Sequence, residues 1–371
     1  MLKILFGCRN FDQMAGGIER ISSEIMNEMI NRGHQVTLLT WDHSQAKSHY
    51  ELNSNIKWIK LNLGSPKESA TWVMRFKRQK EIRRIIREIN PNVVIGFQVG
   101  TFAALRSSLF GLNIPVIAAE RNSPDLFKYT KNNKFNRFLA SLSLFFADKI
   151  TVQFKNYKKM YPFFLRSKIL TIPNPVNQNN FPIFPNEIKN PPKRIINVGR
   201  LSLQKNQIFL INSFSFISHK NPEWILTIVG EGEYRKKIEE LIDKKNLSKK
   251  IELIGAVKNV DYWLKKSSFL AFPSLWEGFP NALVEAFRLG VPAIGLSTTS
   301  GVNKLINHKK NGLLVNQNEN QYADAMQYMI NNIDFRIKAG RYGKESIKQY
   351  NPEFIFNEWE ELFLSLSKAN K

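Results

Sequence analysis

The chain has 371 residues, enough for about two domains of ordinary size. Hydrophobic residues make up 43% and charged residues 23%, which excludes a disordered or fibrous chain. Lys and Arg total 54 against 31 Asp and Glu, a net charge of +23, so the classes left to explain the excess are a nucleic-acid partner, an anionic membrane face or a phosphorylated substrate.

The first residues, Met1-Leu2-Lys3-Ile4-Leu5-Phe6, are too few for the apolar core of a secretory leader and run directly into Gly7 and Arg9. They read as a first strand. Short apolar runs at 2–6, 36–40, 93–96, 116–118, 150–152 and 169–172 predict buried parallel strands, with amphipathic helical patterns at 18–31, 72–89 and 135–147 between them. The second half repeats the alternation, with strands at 195–198, 225–229, 251–254, 269–272 and 292–295. Strand alternating with helix implies parallel sheets covered on both faces. The longest apolar run, 138–147, is ten residues, half of what a membrane span needs. Pro173 and Pro175, followed by Pro182, Pro185 and Pro191, forbid helix interior and central strand. An interdomain linker is therefore expected at 174–192, between a first domain at 1–173 and a second at 193–350, with a last amphipathic helix at 351–371. Two doubly wound domains whose strand ends share a cleft would bind ligands there, closing about Pro173–Pro175. The lone cysteine, Cys8, cannot form an intrachain disulfide, in keeping with a reducing cytoplasm. His34 and Cys8 both read as structural residues.

The motifs fall after strands. Gly16-Gly17 opens the first helix, where glycine lets backbone approach a ligand and free N–H groups face an anion; a flexible loop is the plain alternative. Val198-Gly199-Arg200-Leu201 ends the first strand of the second half, and Lys205 follows at the next helix start. Arg brings a bidentate fork for phosphate and Lys a point charge. Gly230-Glu231-Gly232 is a further tight loop, but Arg235 stands where a dinucleotide fingerprint needs its third glycine. The most specific segment runs from Pro273 to Ala286. Glu277 precedes the turn Gly278-Phe279-Pro280, the helix opens at Asn281-Ala282-Leu283, and Glu285 lies two turns beyond Glu277. A carboxylate at such a place can accept hydrogen bonds from two sugar hydroxyls.

On these residues the chain resembles the family 4 retaining glycosyltransferases of GT-B fold: α/β, with two facing Rossmann-like doubly wound domains and an interdomain cleft. The likeness covers nearly the whole chain and is strongest in the E-x7-E segment Glu277–Glu285. The resemblance implies a nucleotide-sugar donor, UDP-linked, and transfer of a hexose or N-acetylhexosamine. Arg200 and Lys205 would bind the donor diphosphate, Glu285 the nucleotide ribose and Glu277 the transferred sugar. Gly199 and Gly230 would shape the same site. The amides around Phe279-Pro280-Asn281-Ala282-Leu283, with Gly278 before them, would touch sugar and phosphate, and Gly16 and Gly17 would approach the phosphates from the first domain. Glu120-Arg121-Asn122 matches the segment where many relatives carry a sugar-contacting histidine, so Arg121 is the candidate there. Lys304 departs from the acidic residue many members have after Gly301. The last helix would pack back on the first domain.

The leaving diphosphate accumulates charge on its bridging oxygen. The sequence has no Asp-x-Asp, and its five histidines show no metal-ligand spacing. Arg200, Lys205 and the helix after Pro280 are thus expected to do that work without metal or other cofactor, making Arg200, Lys205 and Glu277 the catalytic candidates.

The basic excess concentrates in residues 1–173, with 27 basic and 12 acidic side chains. Three clusters carry it: Arg75 to Arg87; Lys128, Lys131, Lys134 and Arg137; and Lys155, Lys158, Lys159, Arg166 and Lys168 among Phe154, Tyr157, Tyr161, Phe163 and Phe164. A solvated face is the plain reading. Cations interleaved with aromatics suit an anionic membrane surface and a peripheral place on the inner face of the plasma membrane; because the resemblance implies that the first domain binds the acceptor, a lipid-linked glycan is the acceptor expected. The rival classes are a basic nucleic-acid-binding protein, for which no helix-turn-helix, zinc or RNA-recognition signature is present, and another nucleotide-sugar enzyme of the same fold such as an epimerase or a phosphorylase.

Overall fold

The computed structural model describes residues 1–66, 68, 70–129, 133–178 and 184–369, with the side chains of 133, 134 and 369 outside that description. It divides into two units, Met1–Pro175 with Pro352–Lys371, and Val176–Asn351.

In the first unit β1 (Lys3–Cys8), β2 (Gln35–Thr40), β3 (Lys57–Lys60), β4 (Val93–Phe97), β5 (Val116–Ala119), β6 (Lys149–Val152) and β7 (Ile169–Thr171) form a sheet in the order 3-2-1-4-5-6-7. Every pairing is parallel. The intervening helices are α1 (Gly17–Asn31), α2 (Trp72–Ile89), α3 (Val99–Ser108), α4 (Asn133–Phe145) and α5 (Lys155–Met160). The central strands are apolar on both faces because helices cover both. β1 is buried at every residue after Lys3, and β4 throughout. α1 turns Ile21, Ile25, Met26 and Met29 inward, at helical spacing.

The second unit repeats the plan with β8 (Arg194–Val198), β9 (Ile225–Val229), β10 (Ile251–Gly255), β11 (Phe269–Phe272), β12 (Ala293–Leu296) and β13 (Gly312–Val315) in the order 10-9-8-11-12-13. Its helices are α6 (Gln207–Ser215), α7 (Arg235–Lys244), α8 (Val260–Lys265), α9 (Asn281–Arg288), α10 (Val302–Leu305), α11 (Glu319–Asn331) and α12 (Ile333–Ser346). In both sheets the strand order reverses beside the first strand, between β1 and β4 and between β8 and β11. That reversal opens a crevice at the carboxyl ends of those strands.

The last helix, α13 (Pro352–Ala369), belongs to the first unit. Its Trp359 and Phe363 are fully buried. They stack at 5.7 Å, and Phe363 meets Phe6 edge-on at 6.0 Å. His34 fastens the helix from the other side. Its Nδ1 accepts the Leu2 N–H at 3.1 Å, which leaves Nε2 to donate to Glu360 at 2.8 Å. Arg32 reaches the same carboxylate at 2.6 Å. Cys8 is buried, and burial raises its thiol well above the ordinary value, so it is an inert core residue.

The change from one unit to the other falls after Pro175, at the start of the stretch expected as linker. There Asn186 is buried, donating to Ser268 O at 2.8 Å and accepting from Arg336 Nε at 2.9 Å. Pro182 lies outside the described residues. The edge strands β3 and β13 are not in the apolar-run reading, since Lys57–Lys60 is only half-buried and four residues long.

Candidate active site

In the second unit the site forms at the β8/β11 reversal, where two loops are laced together. The loop after β8 passes through Gly199, Arg200 and Leu201 to a short 3-10 turn, Leu203–Lys205. The loop after β11 is Pro273 to Pro280. Leu275 N–H donates to Gln204 O at 2.8 Å, Gln204 Nε2 to Trp276 O at 2.8 Å, and Asn206 Nδ2 to Pro273 O at 3.2 Å. Thr299 Oγ1 braces the second loop by donating to Ser274 O at 2.5 Å. Neither Gln204, Asn206 nor Thr299 carries a sequence signal, because each acts through a loop distant in the chain.

These bonds bring Lys205 onto Glu277. Nζ sits 2.6 Å from Oε1, with the side chains only 17% and 6% exposed, and Nζ also lies 5.0 Å from the Phe272 ring centre. In so dry a place each side chain is the other's counterion. Glycine makes the approach possible. A Cβ on Gly199 would lie 2.9 Å from Lys205 Cε, and on Gly230, at φ +144°, 2.0 Å from Gly199 O.

The structure thus brings Lys205, Glu277, Gly199 and Gly230 together. Arg200 is exposed beside them, its carbonyl fixed by Gln207 Nε2 at 3.1 Å. Gly278, Phe279 and Pro280 form the turn into α9, and Glu285 is half-buried on that helix. Some of the amides expected to face a donor are engaged within the turn: Asn281 N–H donates to Phe279 O at 2.9 Å and Leu283 N–H to Pro280 O at 3.0 Å. Leu283 is fully buried, Ala282 half-buried. Lys304 stands exposed on α10. Gly16 and Gly17 start α1 in the first unit, as the helix N-cap and first residue. Among the described residues no three His, Cys, Asp or Glu side chains gather as metal ligands.

Arg121 differs from the expectation of a ligand contact. It is buried, donating to Ile172 O at 2.9 Å and to Thr151 Oγ1 at 2.7 Å, with its guanidinium 5.1 Å from the Trp359 ring centre. It pins β6, the chain after β7 and α13 together. Burial lowers its guanidinium to about 9. Its neighbour Glu120 is the more notable group. Oε1 is covered and has no partner among the described residues, and the same holds for Gln153 Oε1, whose Nε2 donates to Glu120 O at 3.0 Å. The carboxylate accepts the Val99 N–H, and burial still pushes it up to about 7. On the β4 side of Glu120, Gln98 follows β4 at φ +67°, ψ 150°, a strained conformation for a residue with a side chain.

Two family profiles match consecutive stretches: "Glycosyltransferase Family 4" over residues 15–180 and "Glycosyl transferases group 1" over 179–346. The chain is 30% identical over 258 residues, 67% of its length and 70% of the relative, to an N-acetylgalactosamine-N,N'-diacetylbacillosaminyl-diphospho-undecaprenol 4-alpha-N-acetylgalactosaminyltransferase of Campylobacter jejuni. The chain belongs to glycosyltransferase family 4. A second Campylobacter jejuni relative of this glycosyltransferase, a GalNAc-alpha-(1->4)-GalNAc-alpha-(1->3)-diNAcBac-PP-undecaprenol alpha-1,4-N-acetyl-D-galactosaminyltransferase, is 26% identical over 372 residues, all of both chains. The solved structure of sucrose-phosphate synthase from Thermosynechococcus elongatus superposes with a TM-score of 0.85 over all of both chains at 18% identity, showing the GT-B fold.

Glu120 gives a pH-dependent stability. Its ordinary value is 4.5 and its folded value about 7. Between those values the unfolded chain loses the proton while the folded chain keeps it, so stability from this group falls as pH rises through that window and then levels. Glu120→Gln is therefore expected to be near-neutral at pH 4.5 and to stabilise by about 1–2 kcal/mol at pH 8, allowing for partial exposure. Denaturant midpoints at the two pH values check it; an equal difference at both would contradict the burial argument.

Proposed function

We propose that this glycosyltransferase moves a hexose or N-acetylhexosamine from a UDP-sugar to a lipid-diphosphate-linked glycan, with retention at the anomeric carbon and without metal. The observation that carries the donor half is the preformed Lys205–Glu277 pair beside exposed Arg200, at the strand reversal of the second unit. A diphosphate placed there meets two cations, and Glu277, released from Lys205, has oxygens for sugar hydroxyls. Glu285, on the helix after the turn, would take the ribose. The acceptor half is supported by the names of the two Campylobacter relatives, both of which act on undecaprenol-diphosphate-linked glycans.

In the step we infer, the acceptor hydroxyl oxygen attacks the anomeric carbon on the face from which the nucleotide departs. The bond from that carbon to the β-phosphate oxygen breaks, its electron pair stays on the diphosphate, and a departing phosphate oxygen takes the acceptor proton. Arg200 and Lys205 oppose the charge growing on the diphosphate, the part a divalent cation plays in other designs. Lys205 is held in the site before the donor arrives, so its charge needs little reorganisation.

Peripheral membrane association belongs to the same reading, though the basic clusters contribute less than their sequence implies. In the first cluster Arg78 is buried, Arg83 holds the end of α3 through Ser108 O and Phe110 O, and Arg84 pairs with Glu81. Lys128 pairs with Asp125, Phe154, Tyr157 and Tyr161 are buried, and Lys131 and the Lys134 side chain lie outside the described residues. Lys77, Lys80, Arg87, Lys155, Lys158, Lys159 and Arg166 stay exposed, and with them an aromatic group on and after α4, Phe138, Phe145 and Phe146, joined by Phe163 and Phe164. Lys168 Nζ lies over the Phe145 ring at 5.2 Å.

Two measurements test the proposal. Thermal-shift titration with UDP, GDP and ADP in EDTA should give a shift selective for UDP, growing as RT ln(1 + [L]/Kd) and lost in Glu285→Ala; no nucleotide shift would sink the donor assignment. Sedimentation with vesicles containing 30% anionic lipid, a composition of roughly the anionic content at which basic surfaces dock, should bind the protein and release it at high salt. Phe138→Ser with Phe163→Ser should weaken that binding at least fivefold, and unchanged binding would remove these rings from the membrane face.

A further inference from the structure

The surplus charge of the second unit lies at the edge of its sheet away from the donor residues. Residues 176–351 hold 25 basic and 15 acidic side chains. The segments that lead into β8, β9, β10, β11 and β13 (residues 187–194, 219–224, 243–250, 265–268 and 306–311) carry 12 of the basic side chains and three of the acidic ones. Every pairing in this sheet is parallel, so these segments enter the strands side by side along one edge, the amino edge. Arg200, Lys205, Glu277 and Glu285 follow the carboxyl ends of the strands instead. The basic excess is therefore not a field built around the donor's phosphates.

Of the 12 cations on the amino edge, 11 are lysines and nine are exposed. Ion pairs take up Lys193, with Glu223, and Arg194, with Glu252, while Glu187 is engaged by Arg341 at 2.7 Å. Like charges gathered this way repel one another, and an anionic surface laid over them removes the repulsion. A depression of about 420 Å³ opens on the same edge, at the amino ends of β8 and β9. Ile188, Pro192 and Ile225 line it together with Lys193, Lys265 and Lys266, and among the described residues its acid is Glu223, the partner of Lys193. Ile188 is 44% exposed there, and Tyr262, under the Lys266 ammonium, is 47% exposed.

The residue types choose among anionic partners. Lysine is a strongly hydrated point charge that attracts without fixed geometry, whereas reading of bases draws on forked donors such as arginine. The one arginine here is already held by Glu252. Ring faces that could stack on bases are covered, Tyr262 by Lys266 at 4.1 Å and Trp263 by Arg194 at 5.8 Å. Lysines around an apolar depression, with an aliphatic and an aromatic side chain exposed among them, suit phospholipid headgroups above the start of their chains. We propose that the amino edge of the second sheet docks on an anionic phospholipid bilayer. This adds to the membrane association proposed above a contact on the second unit that does not depend on the rings of α4. The bilayer meets the edge opposite Lys205 and Glu277, which leaves the strand reversal clear for substrate.

Sedimentation of the full chain with vesicles of about 30% phosphatidylglycerol in phosphatidylcholine tests it. Lys265→Gln with Lys266→Gln should weaken binding about tenfold and reduce its sensitivity to salt, and Lys220→Gln with Lys249→Gln, from neighbouring strand entries, should weaken it similarly. Lys236→Gln with Lys237→Gln, exposed at the start of α7 on the other edge, makes the same change in net charge and should leave binding unchanged. Equal binding by wild type and both amino-edge pairs overturns the proposal, as does equal weakening by all three pairs or no binding by wild type. Duplex RNA bound more tightly than the vesicles, and released by the amino-edge pairs, overturns it in favour of a nucleic-acid partner. Weakening by the amino-edge pairs with no effect of Phe138→Ser and Phe163→Ser leaves this edge standing while the ring patch falls, and the converse result does the reverse.

Discussion

One buried ion pair organises the second unit's site. Lys205 and Glu277 come from loops 72 positions apart in sequence, yet they meet at 2.6 Å with little water around them. Such a pair gives little net stability, because two desolvation costs offset its Coulomb attraction. It does fix where both charges stand. The glycines that admit the lysine stem and the Gln204 and Asn206 bonds that lace the loops all serve to hold that geometry. A reaction whose barrier is charge on a departing diphosphate gains from cations that are already in place. Under the function we propose, the Lys205–Glu277 contact is the resting state of a site in which both partners have work with a ligand.

The first unit solves a different electrostatic problem. Its excess positive charge is not one face. Much of it goes into structure: Arg83 holds the end of α3, Arg121 joins strands to α13, and Arg32 with His34 secures Glu360. Other cations stay exposed, among them Lys77, Lys80, Arg87, Lys155, Lys158 and Lys159, and three arginines, Arg9, Arg75 and Arg78, line one pocket.

The fold was largely legible in the sequence. The apolar runs of β1, β4, β8 and β11 are long enough and apolar enough on both faces to mark central parallel strands, and the glycines after β8 and β9 mark the turns. The edge strand β3 was hidden because half-buried Lys57–Lys60 has no apolar run. In the proline-rich stretch the prolines restrict backbone conformation without saying whether a residue packs; Asn186 does pack. In the site, residue types and spacing pointed to Lys205, Glu277 and Glu285. They could not show that the first two would bind each other. Arg121 had the right place for a ligand contact and the wrong surroundings, since Trp359, Ile172 and Thr151 claim it from three directions. Arg9, Arg75 and Arg78 were legible only as charge, and their convergence needed β1 and α2 in space.

A double-mutant cycle on Lys205 and Glu277, read with and without UDP, addresses the central claim most directly. Without nucleotide, Lys205→Met and Glu277→Gln should each destabilise the chain by about 3 kcal/mol, because each strands a buried charge or its partner. The double variant should recover most of that loss, and its UDP shift should be lost with it. Additive destabilisation, or a double variant that keeps the wild-type UDP shift, would contradict an ion pair held ready for the donor.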